Sequence, residues 1–239
     1  MRCLPLVAVA LAAGCQPQLF ARGAIEAPTP VIKADVSVEV GFFGVPLAGA
    51  QDVVFVLDRS GSMDGVATGF AGEDVGMSST QAEVAGLAGQ LVNMGSHKLP
   101  SKMEAAKREL VRTLSRMPDG TRFMIIFFDD KLAAVQPTMT VLDPQSRAAA
   151  IDFVRGIHAG GSTAAVPALR LAYAQGAQRV VLLSDGLPNT GGDANDMLAE
   201  ARGQIRRGVR FDTVGIGIDQ DSPLMTTLAA ESGGIAVKR

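Results

Sequence analysis

Five oxygen-bearing side chains stand where strand-like runs give way to turns. Asp58, Ser60 and Ser62 follow Val53-Val54-Phe55-Val56-Leu57 in the spacing Asp-x-Ser-x-Ser. Thr163 closes the turn Gly160-Gly161-Ser162-Thr163, and Asp185 sits in Ser184-Asp185-Gly186, directly after Val180-Val181-Leu182-Leu183. Two carboxylates and three hydroxyls, with no thiolate and no imidazole, make a donor set for a hard divalent cation. Mg²⁺ suits it best, because that ion keeps several waters and leaves positions for an outside ligand; Mn²⁺ and Ca²⁺ are the alternatives. Taken singly, each residue has a plainer role. Asp-x-Ser-x-Ser is common turn chemistry, Thr163 suits a helix cap, and Asp185-Gly186 suits a strand-ending turn. Their co-occurrence, each at the end of the same kind of element, points to a site.

A scaffold must bring these groups together, and the rest of the chain reads as one. The runs 53–57, 123–128 and 180–183 are continuously apolar, as strands buried on both faces are. Between them lie helical patterns. Ser101 and Glu104 have capping-box spacing ahead of Met103, Ala106, Leu110, Leu114 and Met117 on one face. Asp143-Pro144 opens a helix carrying Ala148, Ile151 and Val154, and Val166, Leu169 and Tyr173 lie on the next. Residues 194–207 form a helix with Leu198, Ala201 and Ile205 inward, 211–218 a strand, Ser222-Pro223 the start of a short helix, and 235–237 a last strand. A weaker strand over 134–141, broken by Pro137, reads as an edge. Apolar strands alternating with helices predict an α/β fold with a mostly parallel sheet covered on both faces. In such a sheet, loops at the carboxyl ends of adjacent central strands converge where ligands bind.

Composition removes several classes of function. The 239 residues are 47% hydrophobic and 19% charged, enough for a substantial core. With 22 basic against 24 acidic residues there is no surplus to bind nucleic acid, and no Trp and one Tyr leave no stacking platform. His97 and His158 are too few for a histidine-built zinc site. Neither a Gly-x-Ser-x-Gly elbow nor a phosphate-binding Gly-x-x-x-x-Gly-Lys loop is present. Both cysteines, Cys3 and Cys15, precede the body, so no disulfide framework is expected in it. The apolar run 4–13 after Arg2 reads as a secretory leader over residues 1–14. Small residues directly before Cys15 resemble the bacterial lipoprotein signal, which implies lipidation of Cys15 and a membrane anchor. Residues 15–50 are then a tether, with Pro17, Pro28 and Pro30, a possible extra strand at 35–40, and a loop over 41–49.

The segments DRSGSM, GGST, LLSDGLPN and TVGIGID, in that order between Gln51 and Val237, resemble the von Willebrand factor A domain with its metal-ion-dependent adhesion site. The resemblance implies a doubly wound, six-stranded sheet with one antiparallel edge strand. It implies that Ser60, Ser62 and Thr163 bind the ion directly, Asp58 and Asp185 directly or through water, and that a partner's carboxylate completes the shell. The expected function is a metal-dependent adhesion or protein-interaction module, not an enzyme, lipid-anchored at a bacterial envelope on its periplasmic or surface face. A Mg²⁺-dependent hydrolase and a scaffold with a purely structural metal are the alternatives. Two departures from the family stand out in the domain, residues 51–239. An insert over 64–100 carries a second capping-box spacing, Thr80 to Glu83, and an amphipathic pattern at Val84, Leu87, Leu91 and Met94. It springs from the metal-binding loop, as a lid, a partner surface or a tolerated loop. The sequence ends at Arg239, just after the last strand, so the family's closing helix is not expected.

Overall fold

The computed structural model describes residues 40–67, 100–217 and 222–239. The leader, Cys15, the tether up to residue 39, the Val84–Met94 pattern and His97 lie outside the described residues. The described body falls within one compact unit, Val38–Arg239.

A short hairpin of β1 (Gly41–Phe42) and β2 (Val45–Pro46) precedes β3 (Asp52–Asp58) and a 3₁₀ turn over Gly61–Asp64. Then come α1 (Lys102–Arg116), β4 (Arg122–Phe128), β5 (Leu132–Ala134), β6 (Thr140–Val141), α2 (Pro144–Arg155) and α3 (Ala165–Ala174). β7 (Arg179–Ser184), α4 (Ala194–Ile205), β8 (Arg210–Gly215), α5 (Ser222–Ser232) and β9 (Ala236–Lys238) follow. The main sheet runs β5-β4-β3-β7-β8-β9, with β6 also paired to β4. All pairs along β4-β3-β7-β8-β9 are parallel, while β5 and β6 are antiparallel to β4. The expected antiparallel edge is therefore present in two pieces on either side of Pro137, which raises the strand count from six to seven. Proline has no N–H to offer the ladder there.

Alternation along the strands explains why they read as unbroken apolar runs. Val53, Phe55 and Leu57 join Phe123, Ile125, Phe127, Val181 and Leu183 in one core layer, with Met103, Leu110 and Leu114 of α1. Val54, Val56, Met124, Ile126, Val180 and Leu182 face the other way, against Val166 and Leu169 of α3, Met197 of α4 and Leu228 of α5. A strand sandwiched between two helical layers has no polar face to alternate with.

Three local expectations change. The 41–49 segment is a hairpin, not a loop. Phe43 (φ 51°) and Gly44 (φ 88°) both take left-handed backbone, as a tight hairpin turn requires. Phe42, Phe43, Val45 and Leu47 are buried against α1, and Thr113 Oγ1 donates to the Gly41 carbonyl (2.8 Å). On α2 the inward residues are Ala150 and Val154, with Ala148 exposed. On α4, Met197 rather than Leu198 sits deepest beside Ala201. Among the described residues, no helix is long and apolar enough to cross a membrane.

Candidate functional site

β3 is the switch point of the sheet: the chain leaves it for β4 on one side and returns to β7 on the other. Register puts Asp58 opposite Phe128, and Leu57 opposite Leu183, so the ends of β3, β4 and β7 lie side by side. Backbone bonds stitch the loops beyond them. Arg59 N–H donates to the Phe128 carbonyl (2.8 Å), Gly160 N–H to Arg59 (2.8 Å), Gly61 N–H to Gly161 (3.0 Å), and Ala164 N–H to Asp129 (2.9 Å). The Arg59–Asp129 ion pair (2.9 Å) ties the same two loops through side chains. Met63, fully buried, anchors the 3₁₀ turn from below.

Four of the five predicted residues form one hydrogen-bonded row. Asp58 Oδ1 accepts from the Ser60 N–H (2.8 Å), Ser60 Oγ and Ser62 Oγ share a bond (3.0 Å), and Ser62 Oγ donates to Asp185 Oδ1 (2.8 Å). The fifth, Thr163, is buried in the loop bonded to Gly61. Its backbone is clamped by Asn189: Thr163 N–H donates to Asn189 Oδ1 (2.9 Å), and Asn189 N–H to the Thr163 carbonyl (3.0 Å).

Charge balance separates the buried acids. Asp129 pairs with Arg59, Asp185 with Lys102, and Asp212 with Arg179 and Arg210. Asp58, with no solvent exposure, has only neutral donors among the described residues: the Ser60 N–H and the Ser184 hydroxyl, which donates to Oδ2 (2.6 Å). Burial pushes the Asp58 carboxyl above its ordinary range. The Ser184 and Ser60 bonds pull it down, and the nearby Asp185 charge adds to the rise. A fully buried carboxylate with no counter-charge among the described residues, beside converging hydroxyls, is compatible with the oxygen-only donor set of a hard cation.

Three contributors were not picked out from the sequence. Ser184 and Asn189 lie in the quoted LLSDGLPN segment, but their bonds to Asp58 and Thr163 depend on tertiary contact. Lys102, whose Nζ donates to Asp185 Oδ2 (2.9 Å), is the first residue of α1. A cation at the positive end of a helix is unfavourable, and that mismatch was the available signal. His158 is exposed.

A sequence profile described as "von Willebrand factor type A domain" matches residues 90–237. No curated protein matches the chain. Among solved structures, a von Willebrand factor type A protein from Catenulispora acidiphila superimposes with a TM-score of 0.57 at 22% identity, covering 82% of this chain and 40% of that one. The chain thus spans less than half of that relative's length. A conserved hypothetical protein, BatB from Bacteroides thetaiotaomicron, gives 0.55 at 17% identity, with coverages of 80% and 90%. Manganese-loaded TRAP protein from Plasmodium vivax gives 0.50 at 17% identity, with 76% and 63%. At these identities the likeness is one of fold.

Proposed function

The chain belongs to the von Willebrand factor type A domain family, and from that premise we propose that it is a cation-dependent protein-binding module of the bacterial envelope that engages an acidic group of its partner. The observation that carries this reading is the buried, uncompensated Asp58 at the head of the Asp58–Ser60–Ser62–Asp185 row. Ser60, Ser62 and Thr163, with Asp58 and Asp185, would hold a Mg²⁺ or Mn²⁺ ion; the manganese in the TRAP structure supports this choice of ion class. When bound, such an ion supplies positive charge and an exchangeable position for a partner's carboxylate.

The protein's own part is positioning. Asp58 orients the Ser60 backbone and the Ser184 hydroxyl, Asp185 orients Ser62, and Asn189 fixes Thr163. Ligands held by secondary bonds lose little freedom on binding. The sequence carries neither a Gly-x-Ser-x-Gly elbow nor a Gly-x-x-x-x-Gly-Lys loop, which favours the binding reading over hydrolysis. For the envelope, support comes from the leader-like run 4–13, from Cys15, and from the fold likeness to an aerotolerance-related membrane protein of Bacteroides fragilis (TM-score 0.53, 19% identity).

Calorimetry of the full chain with Mg²⁺ and Mn²⁺ tests the ion. Asp58→Ala and Asp185→Ala are each expected to weaken binding about tenfold or more, and EDTA is expected to abolish capture of envelope proteins. Unchanged binding in both variants overturns the site. Cell fractionation of Cys15→Ser tests the anchor, with loss from the membrane fraction expected.

A further inference from the structure

We propose that Lys102 is a resident cation that sets how tightly this site takes up a divalent ion, holding Asp185 in the metal-free protein and opposing loading. The inference rests on the cation reading above and adds a residue to it. Lys102 opens α1, where the helix N-terminus repels a positive charge. Its side chain is nevertheless only 10% exposed, against an Asp185 side chain that is 0% exposed. Solvent does not hold it there; the 2.9 Å bond to Asp185 Oδ2 does.

The path of the side chain is built for it. A methyl group in place of the Gly217 hydrogen would lie 2.8 Å from Lys102 Cε and 3.0 Å from Nζ, and Gly217 has a φ of +91° that other residues rarely adopt. Gly65, on the segment leading from the Asp-x-Ser-x-Ser turn, lies beside the same Cε: a Cβ there would be 3.8 Å away. A side chain at 217 would force the end of the Lys102 side chain to shift.

With Ser62 on Oδ1 and Lys102 on Oδ2, both oxygens of Asp185 are engaged. The two site carboxylates and one ammonium leave a net charge of about −1, where two free carboxylates would give −2. Affinity of oxygen sites for divalent ions rises with the charge of the ligand set. The lysine therefore keeps the row assembled without metal while making the site a weak one until a partner's carboxylate adds its own charge.

Lys102→Met, which keeps length and removes charge, tests this in the full chain. Its affinity for Mg²⁺ and Mn²⁺ by calorimetry should rise about tenfold or more. In EDTA its melting temperature should fall, because Asp185 loses its buried counter-charge, and Mg²⁺ should raise the variant's melting temperature more than the wild type's. Lys102→Gln should behave alike. Equal or weaker metal affinity in the folded variants, with binding intact in the wild type, overturns the inference alone. Failure of both variants to fold even with Mg²⁺ also overturns it, since the lysine is then core structure. Absence of binding in wild type and variants together overturns the cation reading and the inference with it.

Discussion

Asp212 lies in the half of β8 away from the site and shows what a fully compensated buried carboxylate looks like in this protein. Its Oδ2 receives Arg179 Nε (2.7 Å), and its Oδ1 receives Arg210 Nη2 (3.1 Å) and the Ile235 N–H (2.9 Å). Arg179 continues to the Pro46 carbonyl (2.6 Å), so one carboxylate links β7, β8, the approach to β9 and the hairpin. Asp212→Ala would leave Arg179 with only the Pro46 carbonyl, Arg210 to solvent and the Ile235 N–H unpaired, and should cost about 1–3 kcal/mol of stability. Asp212→Asn keeps an acceptor and should cost less. Urea unfolding of both checks the order; equal small losses would mean that the network is solvated rather than structural. Asp58 contrasts with this arrangement residue for residue. Its donors are neutral, so its buried charge is balanced by nothing among the described residues, and the proposed cation site rests on that difference.

Helix starts are where local rules and tertiary needs meet. Asp143 caps α2 in a full capping box: its Oδ1 accepts from the Ser146 N–H (2.7 Å), and Ser146 Oγ accepts from the Asp143 N–H (2.9 Å). The Ser146 bonds hold the Asp143 carboxyl below its ordinary range. A depressed folded-state value means that the ionised cap adds stability above the ordinary carboxylate range and loses it as pH falls through the folded value. Asp143→Ala should therefore melt a few degrees lower at neutral pH, and the gap to the wild type should narrow as pH falls through the folded-state value. A gap that persists unchanged in acid would show that the charge plays no part. At α1, Ser101 accepts from the Glu104 N–H (3.2 Å), but Glu104 turns its carboxylate to Lys107 (2.9 Å). Only one half of the expected box is therefore used, because Lys107 Nζ is held beside it by the Ile157 carbonyl (3.0 Å).

At the scale of the molecule, the insert leaves and rejoins the body at a closed neck. Val66 bridges Ser101, Ala67 N–H donates to the Pro100 carbonyl (3.0 Å), and Lys102 N–H donates to the Gly65 carbonyl (2.9 Å). Among the described residues, an apolar layer covers each face of the sheet. Replacing 68–99 with a short Gly/Ser link should therefore leave the circular dichroism spectrum unchanged and the melting temperature within a few degrees, since loop length costs little. Partner capture should change, because the neck opens beside Lys102 and the Ser60–Ser62 turn. A collapsed melt would show that the insert is part of the core.

The order of the long strands and helices and the candidate ligands are legible in the residues alone. Both are local properties: continuous apolar runs mark the central strands, and Asp-x-Ser-x-Ser, Thr163 and Asp185 stand directly after their turns or strands. The hairpin is not legible in the sequence because two-residue strands have no period, and its burial comes from α1, distant in sequence. The inward face of α2 was misjudged at Ala148 because alanine carries too little apolar weight to fix a phase. Which buried acid lacks a cationic partner among the described residues follows from tertiary contacts. Arg59, Arg179 and Lys102 look alike in sequence; register of β7 on β8 brings Arg179 to Asp212, the stitched loops bring Arg59 to Asp129, packing of α1 brings Lys102 to Asp185, and Asp58 is left to neutral donors among the described residues. Long-range pairing of charges depends on which strand ends lie side by side, and the order β4-β3-β7 follows from packing the whole sheet.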